Sequence, residues 1–260
     1  MNPTTKEVPR RIDFVHHQDS IVASFIRDIV FGMEDGMVST LGTITGIAVG
    51  SRDQGTVLLA GLVIVAVESI SMGIGSYLSS SSEKKVDERK IQEEKKEISE
   101  YPETEEKELL DIYIQNGWPE NLAKQMSETA GKNHNLMLNE MAHYELSINP
   151  NDVTHPIKNG VFMFLSYIIG GTIPLLAYLL LPIKQAMPIS IGVTLSGLFL
   201  LGVATTKYTK QKWVKEGSYM LLLGGAALSA GFLIGKFAGG GFCKENFERL
   251  LLKYSNFIIY

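Results

Sequence analysis

Four stretches of this chain, 56–80, 160–182, 187–206 and 217–235, run for 19 to 25 residues with almost no charge. A helix needs about 20 such residues to cross roughly 30 Å of hydrocarbon. In lipid every backbone polar group must be satisfied internally, which a helix does by itself. A fifth stretch, 21–50, is apolar except for Arg27, Asp28, Glu34 and Asp35. Its uncharged part, 36–50, is too short alone, so the acids belong inside the span or at its edge. The expected architecture is an all-α membrane protein with five transmembrane helices.

The mean hydropathy of the whole chain, +0.09, is modest only because a charged insert dilutes it. Between 83 and 108 there are ten glutamates and one aspartate against seven lysines and arginines. Residues 84–99 are strong helix formers without Gly or Pro and continue the second span as a helix. Pro102 breaks it, 103–115 starts a second helix, and 121–146 makes a third with Gly131 as a possible break. The organisation is an amino-terminal arm 1–20, spans 21–80, a three-helix insert 81–157, spans 158–238 and a tail 239–260.

Orientation follows from Lys and Arg in short loops. Lys6, Arg10 and Arg11 lie in the arm, and Lys207, Lys210, Lys212 and Lys215 follow the fourth span, whereas 51–55 and 183–186 hold one basic residue each. This places the amino terminus and the insert in the cytoplasm. No cleaved signal peptide pattern is present. The single Cys243 excludes an intramolecular disulfide framework or a cysteine cluster and reads as a free thiol.

Spacing singles out candidate ion ligands. A carboxylate at the bilayer centre costs about 2.5–3.5 kcal/mol on insertion scales and normally faces protein or a water path. Asp28 and Asp35 are seven apart, on one side of the first span, and Glu68 and Met72 are four apart on the second. Carboxylate oxygen suits hard or borderline cations, and a thioether tilts the preference towards a softer transition metal. In the insert, Glu94 and Glu97, Glu105 and Glu108, and Met141 and Glu145 each share a helix face. The competing reading of these acids is a solvated charged face, with Lys95, Lys96 and Lys107 among them. Gly32 and Gly36, Gly42, Gly46 and Gly50, and Gly231 and Gly235 repeat every four residues, a spacing that lets helices approach closely in lipid. A glycine-faced, acid-bearing first helix suggests a homodimer whose first spans pack through Gly42 and Gly46, with the ion path near the two-fold axis.

Together these residues resemble the vacuolar iron transporter family. The resemblance rests on Arg27-Asp28-Ile29-Val30-Phe31-Gly32 with Asp35-Gly36, and on Ser71-Met72-Gly73-Ile74-Gly75 with Tyr77. It also rests on Glu97-Ile98, Pro102 and Glu108-Leu109, on Tyr144-Glu145-Leu146, and on Gly170-Gly171-Thr172-Ile173-Pro174-Leu175. It spans about 21–237. The family implies a five-span homodimer that exports Fe²⁺ from the cytosol, in exchange for protons, across a vacuole-type or prokaryotic plasma membrane. The metal is bound substrate, and no prosthetic group is implied. By motif position Asp35 and Met72 match the membrane ion site, and Asp28 a further acid on the path. Glu94, Glu97, Glu105, Glu108, Met141 and Glu145 match a cytoplasmic metal-collecting set. In two places this chain leaves alternatives. Ile64 stands where an acid two turns before Met72 is expected, with Glu68 one turn closer, and Glu100 and Asp111 preserve the spacing of Glu97 and Glu108.

The expected partners are divalent metals (Fe²⁺, and also Mn²⁺, Co²⁺ or Zn²⁺), protons, lipid and a second copy, not nucleic acid. The alternative class is a membrane-bound di-iron carboxylate oxidoreductase, because Glu140 and His143 have the Glu-x-x-His spacing of ferritin-like sites. Such sites need two of these motifs, and no second one occurs. His16, His17 and His134 have no partner spacing, and a non-enzymatic transporter is expected.

Overall fold

A computed structural model describes residues 20–148 and 155–239. Residues 1–19 with Lys6, Arg10, Arg11, His16 and His17, residues 149–154 with Asn149 and Pro150, and residues 240–260 with Cys243 lie outside the described residues. The described residues form eight helices and no strand: α1 (Ser20–Ser51), α2 (Gln54–Glu100), α3 (Pro102–Gln115), α4 (Glu120–Gly131), α5 (His134–Tyr144), α6 (Pro156–Leu180), α7 (Ile183–Thr209) and α8 (Trp213–Phe237).

Among the described residues, four helices, α2, α6, α7 and α8, are long and apolar enough to cross a membrane. They contain the four stretches read from the sequence. At 32 residues α1 is long enough, but Arg27, Asp28, Glu34 and Asp35 interrupt its apolar run. It nevertheless packs against α2, α6, α7 and α8, with Met37, Leu41, Ile44 and Ala48 fully buried.

Close contacts between helices fix their register. Gly36 of α1 lies on Tyr167 and Gly171 of α6, while Gly42 and Gly46 lie on Ala227 and Gly231 of α8. Numbers rise together in both pairings, so α1 runs parallel to α6 and α8. In contrast α2 runs antiparallel to α6, with Gly73 on Phe164 and Gly61 on Leu175. Antiparallel α7 and α8 meet at Gly202 and Glu216. The starts of α1, α6 and α8 and the ends of α2's span and α7 therefore share one end of the bundle.

The glycine register corrects one expectation. Gly42 and Gly46 do not await the first helix of a second copy, because the backbone oxygens of Ala227 and Gly231 lie 2.9 and 2.7 Å from where their Cβ atoms would sit. Two small-residue rows of equal period, on helices that run parallel, have simply met within the chain.

Beyond the bundle α2 continues unbroken to Glu100, so its 47 residues extend about 70 Å. With α3, α4 and α5 it encloses a second core of Ile98, Leu109, Tyr113, Ala123, Ala130, Met137 and Met141. The single helix expected over 121–146 is two helices. Gly131 ends the first, and Asn133 restarts the chain by accepting hydrogen bonds from the N–H groups of Asn135 and Leu136 at 3.1 and 3.3 Å.

A contrast between two glycines of α8 tests this packing. Gly231→Val drives its side chain into the Gly42 backbone and should lower the melting temperature of the detergent-solubilised chain substantially. Gly225 has open space where a Cβ would be, so Gly225→Ala should leave stability unchanged or raise it by about 0.5–1 kcal/mol. Equal melting temperatures for the two variants would show that the α1–α8 contact does not hold the bundle.

Candidate metal path along the second helix

The antiparallel pairing of α1 and α2 sets a ladder of polar groups along their seam. Glu68, Met72 and Ser76 occupy successive turns of α2. Glu68 is close enough to bear on Asp35 electrostatically, and Ser76 faces Asp28. Met72 falls by register between these two levels. Asp28 is only 2% exposed and is held by the Arg27 guanidinium at 3.5 Å, while its Oδ2 is buried without a hydrogen-bond partner. Asp35 and Met72 are half-buried and Glu68 is exposed at the open edge of the seam. Glu34 is half-buried next to Asp35.

Two further side chains join the upper level. Ser39 donates to the Asp35 carbonyl at 2.6 Å, so the Tyr167 hydroxyl, 2.6 Å from Ser39 Oγ, is the donor in that second contact. Tyr167 is completely buried, and its hydroxyl lies within electrostatic reach of both Asp35 and Glu68. Sequence spacing does not find it, since it arrives from α6 across the bundle.

In the insert, three helix faces converge on a cluster of carboxylates. Glu94 and Glu105 are 3% and 5% exposed, against the rim residues Glu97, Glu108 and Glu145. Burial first, then the charges of Glu145 and Glu105, a hydrogen bond with Glu145 and the charge of Glu97, push Glu94 up to about 8. Glu105 is raised by burial, then by Glu108, Glu97 and Glu145, with a hydrogen bond from Glu94 opposing. Glu145 is raised by loss of solvent and then by Glu108, against the hydrogen bond from Glu94. The pattern describes protonated Glu94 as donor and its neighbours as acceptors, with Glu94 Oε1 left buried and unpartnered.

Three of the six basic residues of α2 pair elsewhere. Lys84–Glu88, Arg89–Glu93 and Lys96–Glu100 form exposed i, i+4 pairs at 3.7, 3.6 and 3.7 Å. The solvated-face reading therefore holds for these acids and not for the cluster. Glu100 is engaged by Lys96, and Glu97 and Glu108, not Glu100 and Asp111, bear on the buried carboxyls. Met141 is fully buried in the insert core, one turn before Glu145, whose N–H bonds the Met141 carbonyl at 2.9 Å.

Among the described residues no three carboxylate, imidazole or thiol groups stand close enough to hold a metal between them. The di-iron pattern is not assembled either. Glu140 accepts a hydrogen bond from Tyr113 at 2.8 Å, and His143 is exposed with its ring edge-on to Tyr144.

A model of the VIT family matches residues 26–236. The vacuolar iron transporter 1 of Arabidopsis thaliana is 30% identical over 224 residues, 85% of this chain and 90% of that protein. Its namesake from Oryza sativa subsp. japonica is 31% identical over 224 residues, 85% and 89% of the two chains. The vacuolar iron transporter of Plasmodium falciparum (isolate 3D7) is 29% identical over 240 residues, 86% and 88%.

A raised carboxyl makes a signed prediction. Metal-free native protein keeps a proton on Glu94 that the unfolded chain releases above 4.5, so native stability falls as pH rises from 4.5 to about 8 and is flat above. Glu94→Gln should remove most of that slope in melting temperatures recorded with chelator present. A parental slope in Glu94→Gln would place the buried proton on another group.

Proposed function

This chain belongs to the VIT family, and on that premise we propose that it exports Fe²⁺ from the cytosol across a membrane in exchange for protons. The observation that carries the reading is one continuous helix bearing two acidic sites. Glu94 lies 22 residues beyond Met72 on α2, about 33 Å along its axis. The insert's carboxylates gather metal at the cytoplasmic side, and the Asp28–Asp35–Glu68–Met72 seam passes it through the bilayer. Mn²⁺, Co²⁺ and Zn²⁺ share this ligand chemistry and are lesser substrates.

The mechanism is competition for carboxylate oxygen. Glu94, Glu97, Glu105, Glu108 and Glu145 bind the incoming ion as anions, with the Met141 thioether reached by rearrangement of the core. The proton on Glu94 must leave as metal enters, so binding weakens as pH falls. In the span, Asp35 and Met72 coordinate the ion, and Asp28 and Glu68 assist its entry and proton exchange. A carboxylate that holds either a proton or a metal, never both at one oxygen pair, couples the two fluxes in opposite directions. Protons abundant on the far side displace the metal there.

The same reading has α1 as the fifth span and the insert in the cytoplasm. A homodimer is supported by Glu68, because an exposed ionisable group on a span is expensive unless protein or water covers it. A second copy laid against the α1–α2 face covers Glu68 and closes the seam about a two-fold axis. This dimer leaves Gly42 and Gly46 to α8.

Proteoliposomes loaded with a pH dye test the reading by uptake of Fe²⁺, Mn²⁺, Co²⁺ and Zn²⁺. Metal entry should be accompanied by proton exit. Asp35→Asn should reduce transport by at least the roughly 10-fold that even an outer-shell partner of a metal ligand costs. Met72→Leu should weaken Fe²⁺ and Co²⁺ transport more than Mn²⁺ transport. Parental rate and pH dependence in Asp35→Asn would remove the membrane site. Calorimetry on the full chain should show fewer bound ions once Glu94, Glu97, Glu105 and Glu108 are replaced together by Ala.

A further inference from the structure

We infer that the hairpin joining α7 to α8 is a binding surface for anionic phospholipid headgroups. Residues 207–215 carry Lys207, Lys210, Lys212 and Lys215 and no acid. All four lysines are exposed, and the ion pairs among the described residues involve other groups. The turn is short. Lys210 adopts the left-handed conformation at φ 53, with its N–H on the Thr206 carbonyl at 2.8 Å, and Lys212 starts α8. Four ammonium groups thus sit around one tight apex.

The hairpin below the apex is rigid. A Cβ on Gly202 would lie 2.6 Å from the Glu216 carbonyl oxygen, and one on Gly217 would lie 2.5 Å from the Phe199 ring. Phe199 in turn meets Trp213 edge-on with ring centroids 6.4 Å apart. Trp213, Tyr208 and Tyr219 flank the lysines and are 57%, 59% and 56% exposed. Amphipathic aromatic rings of this kind favour the headgroup level, and lysine stems can lie along apolar surface while the charge reaches water.

Charge and place select the occupant. The opposite end of the bundle offers Arg52 beside Asp53, Lys184 and Lys236, dispersed over three places, whereas the α7–α8 turn gathers four lysines, none of them in an ion pair among the described residues, where anionic lipids attract them. Glu216, half-buried in the first turn of α8, is the acid that follows the four lysines in sequence. A soluble phosphate would use the lysines but gain nothing from the exposed rings. A lipid uses both.

The chain has two tryptophans, Trp118 and Trp213, so Trp118→Phe leaves Trp213 as the reporter. The full chain would be reconstituted in phosphatidylcholine–phosphatidylglycerol vesicles with bromine on the acyl chains of one lipid, or of an equal amount of the other. Brominated phosphatidylglycerol should quench Trp213 more strongly, matching a roughly fivefold local enrichment that fades as salt rises. Replacing the four lysines with Gln should abolish the preference. Equal quenching by both lipids in the parent overturns the proposal, as does a preference that survives the four replacements. Loss of the preference on adding inorganic phosphate would reassign the lysines to a soluble anion. Absent a lipid preference, altered cross-linking between copies in the lysine variant would assign the hairpin to another copy's acidic insert. The readout needs no transport, so it stands or falls apart from the transport reading.

Discussion

Backbone contact through glycine is what lets a helix with three carboxylates sit inside an apolar bundle. Lipid provides no hydrophobic force between helices, so close van der Waals contact must hold them. Along α1, Gly32 and Gly36 bring it onto α6, and Gly42, Gly46 and Gly50 bring it onto α8. With those faces taken, the side that carries Asp28 and Asp35 is left to α2. The polar seam is thus a by-product of where α1 can be approached most closely. Bulk at any of these glycines acts on the seam through the angle of α1, without touching an acid.

The two acidic sites solve the problem of unpaired charge differently. Asp28 keeps a guanidinium beside it, whereas the hydroxyls nearest Asp35 are spent on backbone and on each other, Ser39 on the Asp35 carbonyl and Tyr167 on Ser39. Among the described residues no ion pair reaches the insert's five clustered glutamates, and a proton takes that place, held on the most buried of them. Nearby cations could have neutralised the cluster, yet Lys84, Arg89 and Lys96 bridge outward to Glu88, Glu93 and Glu100 across exposed helix faces. Exposed pairs of this kind contribute little stability, about 0.3–0.5 kcal/mol each. Their effect is to leave the inward face anionic.

Much of the architecture was legible because membrane spans and helix breaks are local properties. Charge-free runs set α2, α6, α7 and α8. Pro102 and Gly131 marked helix ends, and the absence of Gly and Pro after 83 carried α2 out of the bundle. Periodicity also said which residues share a face, and Glu94, Glu105 and Glu145 do converge. What was not legible depended on which face meets which. The glycine rows announced a close approach but not its partner, so α8 took the place expected for a second copy. Tyr167 lacks any spacing signal because it reaches the seam from α6, whereas Ser76 follows Met72 by one turn of α2 and carries only a common hydroxyl. Met141 reads as a ligand by spacing and lies in the insert core by packing. The choice of Glu97 over Glu100 needed the position of Lys96.

A single unbroken α2 ties the two sites together in angle as well as distance. Each residue turns a helix by about 100°, so the phase of Glu94 relative to Met72 is set by a residue count and by nothing else. Adding one residue between 80 and 94 would shift the cluster by only about 1.5 Å but swing it by about 100° around the axis. Every carboxylate would survive, in a domain that faces the wrong way. Seven added residues come within about 20° of the original heading, so evolution can lengthen this strut in pairs of turns far more readily than by single residues.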